Sequence, residues 1–165
     1  MTAMDSIFPA LHASHAGPGA LPQRRRRTGT PDRTVAITYG TYDLFHIGHV
    51  RLFERIKQRF GTLIVAVSTD EFNAVKGKRS VVPFADRLAM VQACRHVDVA
   101  IAENGWEQKT SDIVRYGCDA FVMGSDWEGR FDELKTLCEV MYLPRTEGVS
   151  SSELKQAVKA AVPAA

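Results

Sequence analysis

The chain has 165 residues, 45% hydrophobic and 24% charged, with a formal net charge of +2. These values fit a single globular domain and set aside a general nucleic-acid binder, which would be far more basic. No apolar run approaches the ~18 residues of a membrane span and no signal-peptide segment opens the chain, so a cytoplasmic protein is expected. Cys94, Cys118 and Cys138 are widely spaced and odd in number. They read as reduced thiols rather than a disulfide or metal set.

Residues 1–33 carry Arg24, Arg25, Arg26, Arg27 and Arg33 against Asp5 and Asp32. They show no sustained periodicity and read as a disordered tail, with the arginine run a solvated leader. A folded domain is expected over 34–161. It opens with a β-branched strand, 34-TVAITY-39. Ile47, Val50, Phe53, Ile56 and Phe60 then recur at helical spacing. Further strands are predicted at 62–68, 97–102, 119–124 and 138–143. Helices are predicted at 83–95, opened by Pro83, and at 106–117, stopped by Gly117. A short helix at 131–137 and a last one at 150–161 complete the series. No internal repeat is seen.

Strands alternating with helices predict an α/β fold: a Rossmann-like, doubly wound, parallel sheet of five strands with helices on both faces. Ligands in such sheets bind beyond the carboxyl ends of the strands, at the topological switch point. Here those ends carry 40-GTYDLFHIGH-49, 69-TDEFN-73, 103-ENGW-106, 124-GSDWEGR-130 and 144-PRTEGVSS-151.

The first of these loops leads into a helix with His46 and His49 three residues apart. A helix start offers open N–H groups and the positive end of a dipole, which suits phosphate. Gly40 and Gly48 remove side chains where backbone or phosphate would come close. Two imidazoles on one helical face can both donate to a phosphoryl group as its charge grows. Zinc binding lacks a third ligand at a recognisable spacing. A general base is not needed when the nucleophile is already an anion. Ser150 with Glu153 also reads as a capping box at the last helix.

The segment 38-TYGTYDLFHIGH-49 resembles the H-x-G-H signature of the nucleotidylyltransferase superfamily. The segment 145-RTEGVSSSELK-155 resembles the second signature of its cytidylyltransferases. Between them, 69-TDEFN-73, 106-WEQK-109 and 122-VMGSDWEG-129 are similar to the glycerol-3-phosphate branch of that family. The resemblance implies transfer of a cytidylyl group from CTP to a polyol phosphate, glycerol 3-phosphate first, with release of pyrophosphate. It implies in-line attack on the α-phosphorus, no covalent intermediate, Mg2+ entering with CTP rather than on protein ligands, and a homodimer.

By the same resemblance His46, His49, Lys78 and Arg145 are catalytic. Gly40, Thr41, Tyr42, Gly48, Met123, Gly124, Asp126, Arg145, Thr146, Val149, Ser150 and Ser151 hold the nucleotide. Lys76, Lys78 and Arg87 hold the acceptor's phosphate. Asp43 lies in the turn, and Trp106 either packs under the acceptor or fills the core edge. Two positions depart from the family: Tyr42 replaces Phe, which puts a hydroxyl at the mouth of the site, and Ser151 replaces Thr while keeping its hydroxyl. The competing readings are another polyol phosphate as acceptor, an adenylyltransferase, or a regulatory protein that has kept the fold. Both histidines are present, which weighs against the last. A dinucleotide oxidoreductase would need G-x-G-x-x-G, which the first turn lacks.

Overall fold

A computed structural model describes residues 33–161. The arginine run 24–27 and the rest of the expected tail before residue 33 lie outside the described residues. Within them, β1 (Val35–Gly40) leads to α1 (Ile47–Lys57), then β2 (Thr62–Ser68), α2 (Asp70–Val75) and α3 (Phe84–Gln92). There follow β3 (Val99–Glu103), α4 (Gln108–Tyr116), β4 (Ala120–Gly124), β5 (Glu139–Leu143) and α5 (Ser151–Ala161).

All strand pairs are parallel and the order is β3-β2-β1-β4-β5. The winding reverses between β1 and β4, so the crevice opens beyond Gly40 and Gly124, as expected. A parallel sheet is covered on both faces, and its central strands are therefore continuously apolar. Leu63 to Val67 are all fully buried. One face packs Leu63, Val65 and Val122 under Phe53 and Ile56 of α1 and Val91 of α3. The other packs Ile64, Ala66 and Phe121 under Ile113 of α4 and Leu134. α5 buries none of its residues.

Two short elements depart from expectation. The stretch 69-TDEFN-73 is not loop: Thr69 caps α2 by accepting from Phe72 N–H, and Asp70 and Glu71 favour its first turn. A helix this short has no room for a hydrophobic period, so only its cap signals it. The predicted helix at 131–137 is a 3-10 helix, Asp132–Thr136, and a second 3-10 turn covers Ser125–Trp127.

Arg87 also departs from expectation. It is fully buried on α3 rather than facing an acceptor's phosphate. Its Nε donates to Val82 O (2.9 Å), Nη1 to Thr41 O (2.6 Å) and Ser68 O (2.8 Å), and Nη2 to Asp70 Oδ1 (2.6 Å). One guanidinium thus ties the loops after β1 and β2 to the segment before α3. The planar fork suits this task as well as it suits phosphate. Arg87→Ala would leave one buried and two partly buried carbonyls short of a donor, and a loss of about 2–4 kcal/mol in denaturant unfolding is expected. Arg87→Lys should recover less than half of it. A loss below ~0.5 kcal/mol for the alanine variant would contradict this role.

Candidate active site

The loop 41–46 is strained. Tyr42 (φ 52°) and Leu44 (φ 48°) are non-glycine residues in the left-handed region, at roughly 1–2 kcal/mol each. Asp43 between them holds the loop in place. It is buried, and its carboxylate accepts from Val81 N–H and Val82 N–H at 2.9 Å and from Lys155 of α5 at 2.8 Å. Burial alone would raise the Asp43 carboxyl, but the hydrogen bonds from Lys155, Val82 and Val81 outweigh it and hold it below the usual range. Asp43 O accepts from the Ser151 hydroxyl at 2.7 Å. One turn residue therefore docks α5, which buries nothing of its own.

His46 is the N-cap of α1. Its Nδ1 accepts from Gly48 N–H at 3.1 Å, and His49 Nδ1 accepts from His46 N–H at 3.4 Å. The two imidazoles thus form a capping box in place of the usual Ser and Glu. Acceptance at Nδ1 assigns the proton of each neutral ring to Nε2. The rings stack with centroids 3.8 Å apart. Gly48 is required by this packing: a Cβ there would lie 2.9 Å from the His46 ring and 3.1 Å from Val149 Cγ1. At Gly40 a Cβ would lie 2.7 Å from the Tyr42 ring. Both glycines make room for the protein's own side chains first.

Burial holds the His46 imidazole below its ordinary value, with Arg145 adding to the effect and Glu153 opposing it. Burial, and then the neighbouring His46, push His49 down to about 3 against the pull of Asp43. Both rings are neutral Nε2–H donors near pH 7. Ser151 Oγ lies 3.4 Å from His46 Nε2, and its own proton goes to Asp43 O, so it can accept from that N–H.

Two cavities meet at His49. The smaller, about 250 Å³, is lined by His46, Gly48, His49, Met123, Gly124, Asp126, Arg145, Thr146, Val149, Ser150 and Ser151. Most of the expected nucleotide set is therefore brought together. Arg145 pairs with Asp126 at 3.1 Å, and both are more than half exposed. Such a surface pair adds little stability and is open to a ligand. Ser150 caps α5, its Oγ accepting from Glu153 N–H.

The larger cavity, about 430 Å³, takes in Lys76, Lys78 and Trp106, together with Gly40, Thr41 and Tyr42. The last three line this cavity and not the smaller one, which holds the rest of the expected nucleotide set. Tyr42 departs from expectation: its hydroxyl is turned into the interior rather than to the mouth of the site. The Tyr42 and Thr38 hydroxyls are buried and act on each other, with no further hydrogen-bond partner among the described residues. Trp106 is 43% exposed. It stands edge-on to Phe72 with centroids 5.3 Å apart, so it is a cavity wall and not core filling.

His49, Ser151, Ser152, Met123, Trp127 and Tyr39 line both cavities. The larger one also contains groups that the sequence analysis left unassigned: Arg79, Glu103, Lys109, Trp127 and Lys155. Lys109 is 3% exposed and pairs with the equally buried Glu103 at 2.5 Å. Its Nζ lies 4.7 Å from the Tyr39 ring centroid and 4.8 Å from that of Trp106. The spacing of Trp106 and Lys109, three apart at a helix start, was the available signal.

The family model for cytidylyltransferase-like proteins matches residues 37–157. The chain belongs to this family. Among curated cytidylyltransferases, it is 52% identical over 122 residues to the glycerol-3-phosphate cytidylyltransferase of Bacillus subtilis (strain 168), covering 74% of this chain and 95% of that one. It is 52% identical over 120 residues to the enzyme of the same name from Staphylococcus aureus (strain NCTC 8325 / PS 47), covering 73% and 91%. Among solved structures, the lipopolysaccharide core biosynthesis protein of Thermoplasma volcanium GSS1 shares the fold at a TM-score of 0.58 and 20% identity, covering 69% of this chain and 98% of that one. The cytidylyltransferase-like match spans both cavities and both signature segments.

Two measurements check this geometry. Among the described residues the buried Tyr42 hydroxyl has only the Thr38 hydroxyl beside it, so Tyr42→Phe should change stability by less than about 1 kcal/mol in denaturant unfolding. A larger loss would mean that the hydroxyl is firmly bonded. His49 has a folded value near 3 against an unfolded value of about 6.5, so the unfolded chain binds more protons between these limits. The stabilising effect of a neutral His49 is complete above pH ~6.5 and fades as pH falls toward 3. His49→Gln should therefore lose roughly 1–2 kcal/mol less than wild type between pH 7.5 and pH 5. Equal losses would contradict the buried, neutral ring.

Proposed function

We propose that the chain transfers a cytidylyl group from CTP to glycerol 3-phosphate, giving CDP-glycerol and pyrophosphate. The observation that carries this reading is the pair of cavities sharing His49 as a wall, one rich in nucleotide-type contacts and one floored with cations. The named activity of relatives at 52% identity supports both substrates.

CTP lies along the smaller cavity. The Asp126 carboxylate suits the ribose hydroxyls, and Arg145, Thr146 and the N-terminal amides of α5 with Ser150 and Ser151 suit the triphosphate. The α-phosphorus then sits by His49, where the cavities join. Glycerol 3-phosphate enters the larger cavity, its phosphate on Lys76, Lys78 and Lys109. An oxygen of that phosphate attacks the α-phosphorus in line. The new P–O bond forms as the bond to the bridging oxygen breaks, and pyrophosphate leaves. The nucleophile is already an anion, so no base is required. His46 and His49 donate through Nε2–H to oxygens that gain charge, and Arg145 and Lys78 neutralise the rest.

No group of three or more His, Cys, Asp or Glu among the described residues is arranged to hold a metal ion. The Mg2+ expected from the family resemblance would enter with the triphosphate, where it would offset phosphate charge. A homodimer is expected from the family resemblance. A cytoplasmic place is in keeping with Cys94, Cys118 and Cys138 forming no disulfide among the described residues.

The test is pyrophosphate release with Mg2+, crossing CTP and ATP with a panel of polyol phosphates. Turnover with CTP and glycerol 3-phosphate is expected. Turnover with CTP and a different polyol phosphate alone would keep the mechanism and replace the acceptor. ATP preference would reject the reading. His46→Ala and His49→Ala should each lower kcat by about 10²–10³. A change below threefold in both would remove the histidines from the chemistry.

A further inference from the structure

Glu103 ends β3 and is 2% exposed. A carboxylate buried to that degree is costly unless it is paired and hydrogen-bonded. Its partners come from three elements. Lys109 of α4 donates to Oε1. The Ser68 hydroxyl, at the end of β2, donates to Oε2. Lys76, just after α2, lies 3.6 Å from the same oxygen and donates to Ser68 Oγ at 2.7 Å. Ser68 and Glu103 are register partners on adjacent parallel strands, so the sheet itself places the carboxylate.

One lysine would neutralise this carboxylate. Two are present, and Glu103 and both ammonium groups line the larger cavity. Each ammonium has three N–H bonds. Lys76 spends one on Ser68 and turns another toward Glu103, Lys109 spends one on Glu103, and the faces of Phe72, Tyr39 and Trp106 lie within 4.8 Å of the two ammonium groups. The floor therefore keeps one net positive charge and several N–H bonds for a ligand. Such a ligand is a compact anion.

We propose that Glu103 is a positioning residue for the acceptor: it holds the Lys76 and Lys109 ammonium groups in one fixed pair beneath the acceptor's phosphate. This rests on the assignment of the larger cavity to glycerol 3-phosphate. It goes beyond that assignment by giving a buried anion, which would repel a phosphate directly, the task of preparing the site for one. Burial pushes the Lys76 amine down, Glu103 counters this, and Lys78 and Lys109 add to the push. The other titratable groups at the pair are Tyr39 of β1 and Asp112 of α4, which the Tyr39 hydroxyl bonds at 3.0 Å. Without the Glu103 charge the lysines face each other without their shared counterion.

The test is Glu103→Gln in the full chain, assayed beside wild type with CTP and glycerol 3-phosphate. KM for glycerol 3-phosphate should rise about tenfold at pH 7.5 with KM for CTP within about twofold of wild type. The alkaline limb of kcat/KM for the acceptor should move to lower pH by about one unit. Glu103→Asp keeps the charge but shortens its reach. It should raise the acceptor KM without moving the limb, and it carries the test if the Gln variant does not fold. An unmoved acceptor KM and limb would overturn the proposal. So would acceptor and CTP KM values rising together, which marks general damage. Failure of wild type to use glycerol 3-phosphate would instead sink the parent reading, and the proposal with it.

Discussion

The site depends on the strained loop between β1 and α1, and that loop depends on two buried charges. Tyr42 and Leu44 sit at positive φ, a conformation that persists only where the surroundings over-determine it. Arg87 holds the loop from one side through Thr41 O, and Asp43 holds it from within through Val81 N–H and Val82 N–H. Both reach the segment 81–82, because Arg87 also bonds Val82 O. If either let go, the histidines would lose their footing at the start of α1. Asp43 would also release Lys155 and Ser151, and with them the docking of α5.

Under the proposed function, this arrangement would let uncharged imidazoles serve a highly charged substrate. Each ring accepts a backbone N–H at Nδ1, which orients it and puts its proton on Nε2. Burial and the nearby Arg145 keep the pair neutral. A neutral donor binds the ground-state triphosphate less tightly than a full cation would, and it strengthens as charge builds on the leaving group. Full positive charge is supplied separately, by Arg145 on one side and Lys76, Lys78 and Lys109 on the other. The two cavities are thus electrostatically distinct, and His49 stands where they join.

The sheet was readable because a parallel sheet writes itself as apolar runs, such as 62-TLIVAVS-68, separated by helical periods. The smaller cavity was largely readable because His46, Gly48 and His49 fall in one signature, Arg145, Thr146, Val149, Ser150 and Ser151 in the other, and Met123, Gly124 and Asp126 in 122-VMGSDWEG-129. The larger cavity was readable only in part, through Lys76, Lys78 and Trp106. Its floor is drawn from β3, α4 and the turn after α2, and only the register of Ser68 against Glu103 brings them together. Glu103 was read only within the loop 103-ENGW-106 and Lys109 only within 106-WEQK-109, neither with a role of its own. Arg87 was misassigned for a related reason. An arginine suited to phosphate is equally suited to three carbonyls and a carboxylate, and only the fold decides which it meets. The α2 helix escaped notice because six residues cannot display a period.

The central claim is that both substrates are held at once and that the cytidylyl group passes directly between them across the shared wall. Its most direct test is the stereochemical course at the α-phosphorus, followed with CTP carrying a chiral α-phosphorothioate and glycerol 3-phosphate as acceptor. A single in-line displacement inverts the configuration, and inversion is the expected result. Retention would mean two displacements through a cytidylyl-enzyme intermediate, and would contradict the account.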